Sequence, residues 1–304
     1  MLPDLATRLG PLTLASPLIL AASPWGNEAV KLAASGVGAI AMNSVGPAPR
    51  AGHPEPTIHD WGEGLINAVG LANPGAEAAV ETLLKLKADF ARNNVTLIVS
   101  IFADTVENYG VVARVISACE PALVEVNLSC PNVRAEFGIP FATDAATAAE
   151  ATAAAREALA CPISVKLAPN VPDLAPIAGA VIKAGADMLT VSNTMPGMVI
   201  DIQTRRPVLS NKSGGVSGQA LRPIAIRMVY ELYEAFDAPI IGTGGVLRGE
   251  DAIEMVMAGA SAVGLATVAH RHGIAGIRRV LNEMDSWMSA QGVKSLDEIR
   301  GAAH

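Results

Sequence analysis

Eight short runs of small and β-branched aliphatic residues recur along the chain, bounded by Gly, Pro, Asn or Ser and interleaved with alanine-rich stretches of helical spacing. They are Leu18 to Ala22, Gly38 to Met42, Thr96 to Ile101, Leu123 to Asn127, Ile163 to Leu167, Met188 to Ser192, Pro239 to Gly242 and Ala262 to Leu265. Taken together they read as apolar runs, the pattern of parallel strands covered on both faces. Helical stretches lie between them at Ala76 to Asn93, Ala145 to Ala160, Leu174 to Ala184, Pro223 to Phe236 and Gly249 to Met257. Strand and helix in alternation mean βα units, and eight of them predict an α/β fold of the (β/α)8 TIM-barrel type, with a doubly wound open sheet as the rival. Ala6 to Ala15, with Gly10-Pro11 at its centre, predicts a β-hairpin ahead of the first strand. A barrel of about 250 residues or more is one domain, so residues 1–304 are expected to form a single one.

Composition narrows the function classes. With 51% hydrophobic and 4% aromatic residues the chain can bury a large aliphatic core, which excludes intrinsic disorder. The formal charge is -7 and the 22 Lys and Arg are scattered, leaving no footprint for nucleic acid. The apolar run from Leu18 is too short for a membrane span, and Asp4, Arg8 and Pro11 interrupt any signal sequence, so a cytoplasmic protein without membrane attachment is expected. Three irregularly spaced cysteines fit neither a disulfide framework nor a CxxC metal site, and the five histidines show no ligand spacing; no metal is expected.

In a barrel of this kind the chemistry lies at the C-terminal ends of the strands. The residues at or after those ends are Ser23, Asn43-Ser44, Ser100, Asn127 to Asn132, Lys166, Ser192-Asn193-Thr194, Gly242 to Gly245 and Ala266-Thr267. Asn67 and Asn73 fall in the first of two long connections, Asn43 to Pro74 and Asn193 to Leu221. Asn and Ser commonly cap helices at such turns. So many amides together suit instead a planar heterocycle whose edge alternates C=O and N–H. Gly244-Gly245 and the run Gly214 to Gly218 can bring backbone N–H groups close to a phosphate, and the loops after strands 7 and 8 are where barrels often bind one. Cys130, between Ser129 and Pro131, has no packing reason to be in a loop and reads as a base or nucleophile; Cys119 and Cys161 read as small core hydrophobes. Strand alternation turns Lys166 away from Val165 and Leu167, and a lone buried lysine is seldom structural.

At this point the residues resemble those of the dihydroorotate dehydrogenases, flavoproteins of (β/α)8 fold, and most closely their class 1B catalytic subunit. The likeness runs from about Ser16 to Thr267. It rests on PRAGHPEP from Pro49, LINAVGLANPG from Leu65, NLSCPNV from Asn127, VKLAPN from Val165, and GMVID, RRP, NKSGGVSG and RMVY between Gly197 and Tyr230. The resemblance implies an FMN across the barrel mouth, contacted by Ser23, Asn43, Ser44, Ser100, Asn127, Lys166 and Ser192, its phosphate on Gly218, Gly244, Gly245, Ala266 and Thr267. It implies a pyrimidine over the flavin, held by Asn43, Asn67, Gly70, Leu71, Asn127, Asn132, Asn193 and Thr194. Cys130 would take the C5 proton of dihydroorotate while C6 passes hydride to flavin N5, with Lys166 beside the N1/O2 edge. It further implies a homodimer and an electron-transfer subunit carrying FAD and a [2Fe-2S] cluster.

Three positions depart from that pattern. Where the family places a lysine that reaches flavin and substrate carboxylate, this chain has Asn43. Losing one charge-assisted bond costs about 1.5 to 3 kcal/mol, so a related neutral dihydropyrimidine or enoyl compound is the alternative substrate. Ser100 stands where an Asn is usual, and Ala266 replaces a phosphate-loop Gly, a milder change.

Overall fold

The computed structural model describes residues 4–129 and 141–304; Cys130 and Asn132 lie outside them. Two short strands, β1 (Thr7–Leu9) and β2 (Leu12–Leu14), form the expected hairpin. Next come β3 (Leu18–Ser23), β4 (Ala39–Met42), β5 (Ile58–Asp60), β6 (Gly64–Asn67), β7 (Thr96–Ile101), β8 (Leu123–Asn127), β9 (Ile163–Leu167) and β10 (Met188–Val191). The remaining strands are β11 (Met195–Gly197), β12 (Ile200–Asp201), β13 (Arg206–Pro207), β14 (Gly214–Gly218), β15 (Ile240–Thr243) and β16 (Ala262–Leu265).

Eight of these close a parallel barrel in the order β3-β4-β7-β8-β9-β10-β15-β16, with β16 pairing back onto β3. They are the eight runs read from the sequence, with ends shifted by a residue at most. Leu9 and Leu14 of the hairpin pack with Ile19, Ile98, Leu123, Met188 and Ile241 inside the barrel, and Thr7 donates to the Ser261 carbonyl ahead of β16, so the hairpin closes the N-terminal end.

Outside, the strands face helices whose local sequence explains them. The helix Val106–Ser117 starts where the Thr105 hydroxyl accepts from the Asn108 N–H at 3.2 Å, and it turns Tyr109, Val112, Ala113 and Ile116 inward at helical spacing. Ala145–Ala158 is capped by Asp144, which accepts from the Thr147 N–H at 2.8 Å, and it buries the small residues Ala148, Ala151, Thr152 and Ala155. Small side chains let the neighbouring helix approach closely. A long helix follows the last strand over Thr267–Gln291, broken at Gly273, where φ is 54° and ψ -142°. Among the described residues no helix is long and apolar enough to cross a membrane.

The two long connections are not loops throughout. Residues from both meet in a four-stranded antiparallel sheet, β11-β14-β6-β5, with its own small core of Ile66, Ala68 and Leu209. The run Gly214 to Gly218 is therefore not part of a loop. The segment is strand β14, and Gly214 and Gly215 lack side chains because Asn67 and Thr194 occupy that space. Arg271, on the helix after β16, fastens this sheet to the barrel by donating to Asp60 from Nε at 2.7 Å and to the Gly62 carbonyl at 2.7 Å.

Candidate active site

The inside of the barrel changes character along its axis. Above the apolar layer, the inward positions of successive strands carry Ser100, Glu125, Ser164, Lys166 and Thr190, all buried. These groups satisfy one another. Ser164 and Thr190 hydroxyls lie 2.7 Å apart, Ser100 donates to Glu125 Oε1 at 3.1 Å, and Lys166 Nζ lies 3.5 Å from the same oxygen. Lys166 is therefore not the lone ammonium the sequence suggested: β8 supplies its counter-charge. Glu125 was missed because it sits in an apolar run. The period-two pattern Leu123, Glu125, Asn127 was a signal for its orientation, but the register that sets Asn127 opposite Lys166 is visible only in the sheet.

Two adjoining cavities with a shared wall open above this layer. The first, about 840 Å³, is lined on the barrel side by Ser23, Asn43, Ser44, Asn127, Lys166, Asn193, Thr194 and Ala266, and on the sheet side by Leu65, Asn67, Gly70, Leu71 and Ser217. The second, about 490 Å³, shares Lys166, Asn193, Thr194, Ser217 and Ala266 with it and continues to Ser192, Gly218, Thr243, Gly244, Gly245 and Thr267. Every residue that the resemblance assigns to the site and that lies within the described segments lines one or both, except Ser100. That residue is fully buried within β7, beneath the cavity, between Ser44 and Glu125.

The amides are braced from below and from the side. Asn127 donates to Ser44 Oγ at 3.0 Å and accepts from the Ser129 N–H and hydroxyl, at 3.1 and 3.0 Å. Asn193 donates to Ser129 Oγ at 2.9 Å and accepts from the Thr194 N–H at 2.7 Å. Asn67 donates to the Gly215 carbonyl at 3.2 Å. Fixed orientation costs a ligand little entropy on binding. Asn43 donates to the Ala72 carbonyl at 2.7 Å and so anchors the turn that presents Gly70 and Leu71, where Leu71 has φ 57°. Asn73 is structural: its Oδ1 accepts from the Gly46 and Gly75 N–H groups, at 3.1 and 2.8 Å, and it does not line the cavity.

In the second cavity the backbone comes close because it has no alternative. Gly245 has φ 79°, and a Cβ there would collide with the Arg222 backbone; Gly218 has φ 99° and passes against Gly64. Thr267 opens its helix with no side-chain cap on the first turn, and its hydroxyl lies 2.8 Å from Ser217 Oγ. Among the described residues Thr243 Oγ1 is buried there with no partner. An orphaned buried hydroxyl of this kind calls for a ligand.

The sequence reading also passed over His270, which it weighed only as a metal ligand. His270 lines the first cavity, stacks on Trp25 with ring centroids 4.4 Å apart, and has Nε2 2.7 Å from Ser23 Oγ. Burial pushes its pKa below the usual histidine value. Burial likewise raises the thiols of Cys119 and Cys161, as expected for core residues rather than reactive ones.

Comparison with known proteins gives a consistent result. A family model described as dihydroorotate dehydrogenase matches residues 4–288. The "Dihydroorotate dehydrogenase B (NAD(+)), catalytic subunit" of Desulforudis audaxviator is 42% identical over 303 residues, covering 98% of this chain and 97% of that protein. The proteins of the same name from Geobacter sulfurreducens and Methanocaldococcus jannaschii are 40% and 37% identical, each over 99% of this chain and 98% of their own length.

Proposed function

The chain belongs to the dihydroorotate dehydrogenase family, and from that premise we propose that it oxidises dihydroorotate to orotate with FMN, an oxidoreductase step on a CH-CH donor in pyrimidine synthesis. The observation that carries this reading is that the amide-lined and glycine-lined cavities share Lys166, Asn193, Thr194, Ser217 and Ala266 as a common wall. A ligand with a planar polar ring at one end and a phosphate at the other fits that shape. The orphaned Thr243 hydroxyl and the close-approach backbone at Gly218 and Gly245 supply what a phosphate needs. Gly244, Gly245, Gly218, Ala266 and Thr267 would hold the phosphate; Ser23, Ser44, Asn127, Lys166 and Ser192 would hold the rest of FMN. Bound there, FMN supplies the acceptor for the hydride that leaves C6 of the substrate.

The chain's own residues do the rest. Asn67, Asn127, Asn132, Asn193 and Thr194 present donors and acceptors to the pyrimidine edge, with Gly70, Leu71 and Asn43 completing that wall. Cys130 is the base that removes the C5 proton. Because the thiolate is the form that accepts a proton, the reaction speeds up in mild alkali. Lys166 supplies positive charge where negative charge accumulates on reduction.

Electrons then leave through a partner. The relatives are named as catalytic subunits, and the three cysteines here are too few for the four ligands of an iron-sulfur cluster. A subunit with FAD and a [2Fe-2S] cluster, bound to a homodimer of this chain, completes the path to NAD. One observation favours the second reading, a neutral dihydropyrimidine substrate: Asn43 brings no charge to the end of β4, and its amide is engaged with Ala72.

Purification followed by anaerobic mixing tests all of this. The protein should carry or take up FMN, and dihydroorotate should bleach the flavin faster than dihydrouracil. Failure to bind FMN would sink the proposal, and faster bleaching by dihydrouracil would favour the neutral substrate. The isolated chain should reduce artificial acceptors but not NAD.

A further inference from the structure

Neither the binding nor the acid-base roles above use Glu125, although it is the buried carboxylate of the polar layer. Its residue is 4% exposed and that of Lys166 5%, so both charges are out of water. The hydrogen bonds around it have one possible direction. A carboxylate accepts, so the Ser100 hydroxyl donates to Glu125; Ser44 must then donate to Ser100, 2.8 Å away, and Asn127 Nδ2 donates to Ser44. Donors thus run from Asn127, in the cavity wall, through two hydroxyls to the carboxylate, and Lys166 meets the same oxygen from the neighbouring strand. A buried ion pair is seldom more stabilising than apolar side chains of the same volume, so stability alone does not explain this one.

We infer that Glu125 is a positioning residue for the redox reaction. Its carboxylate fixes the Lys166 ammonium at the cavity floor and offsets part of the charge that Lys166 presents to an electron acceptor bound above. The inference rests on the reading of the cavity as a flavin site. It also makes Ser100 the hydroxyl donor that orients the carboxylate from beneath, rather than a contact to the cofactor.

The test is the midpoint potential of protein-bound FMN at pH 7, measured by equilibration with a reference dye. Glu125→Gln keeps the shape and removes the charge. It should favour reduced flavin at least tenfold, about 30 mV for a two-electron couple. Glu125→Asp draws the charge back by one methylene and should shift the equilibrium the same way by at least threefold, which serves if the Gln variant does not fold. A space-filling Glu125 would instead alter the melting temperature and leave the potential where it was. An unchanged or lowered potential in both single variants overturns the inference while the flavin reading stands; a wild-type protein that binds no FMN overturns both.

Discussion

The lower and upper halves of the barrel interior are built on the same strands and share almost no chemistry. On β8, Leu123 lies in the apolar layer beside the N-terminal hairpin, Glu125 in the polar layer, and Asn127 at the cavity. The lower half needs no partners beyond dispersion and exclusion of water, and burying each large aliphatic side chain there is worth about 1.5 to 3 kcal/mol. The upper half holds charge and amides whose desolvation is offset by bonds among themselves, a poor route to stability and a good one to fixed dipoles. A few residues along one strand therefore separate a position whose loss unfolds the protein from one whose loss disarms it.

A change of the proposed base should break that division most visibly. Cys130→Ser should slow flavin reduction by dihydroorotate at neutral pH by at least about 100-fold, the usual scale of a lost general base. Cys161→Ser, on the outside of the barrel, should leave the rate within about twofold. Stopped-flow absorbance checks both, and equal effects would remove Cys130 from the mechanism.

A smaller effect sharpens the comparison within the mouth itself. Asn43→Lys should tighten orotate about tenfold, roughly 1.4 kcal/mol, by adding a charge-assisted bond to the carboxylate. A lysine can also keep the bond to the Ala72 carbonyl, so the turn carrying Gly70 and Leu71 stays in place. Flavin absorbance titrated with orotate in both proteins reads this directly. Tight binding by the natural chain, with no gain from the substitution, would mean that another group holds the carboxylate.

The smallest effect concerns the fastening of the mouth sheet. The Arg271 hydrogen bonds lower the Asp60 pKa from 3.8 to about 2. Asp60 is ionised in the folded state at pH values where the unfolded chain has begun to bind the proton, so its contribution is full above about pH 4 and fades as pH falls towards 2. Arg271→Ala should lower the melting temperature slightly at pH 7, and the gap to the natural protein should close as the pH falls towards 2, as thermal unfolding will show. His270 shifts in the same direction from a different cause, burial, which favours its neutral form. Its lowered pKa means the unfolded state takes a proton first, so its neutral burial costs stability as pH falls below about 6.5.

Much of the barrel was legible because doubly covered parallel strands announce themselves as apolar runs. The bounds of β7, β8, β9 and β16 follow from that alone. The mouth sheet was not legible. Its strands are three to five residues long, β14 is three-fifths glycine, and the partners Leu65 and Ser217 are 152 positions apart, so no local pattern records the pairing. The site shows the same split. Lys166, Asn127 and the glycines at 244 and 245 were readable from their places at strand ends, whereas Glu125 and His270 acquire meaning from neighbours on other strands.

The division along β8 is tested most directly by comparing Leu123→Ala with Asn127→Ala, each assayed for unfolding free energy in urea and for flavin reduction by dihydroorotate. Leu123 is fully buried, and its truncation should cost about 2 to 5 kcal/mol of stability while the folded fraction reduces its flavin within about twofold of the natural rate. Asn127→Ala should lose less stability and slow reduction by at least about 100-fold, the scale of a lost preorganised hydrogen-bond donor. If Leu123→Ala slows the chemistry as much as Asn127→Ala does, or if Asn127→Ala turns over normally, the separation of stability from chemistry along this barrel is wrong.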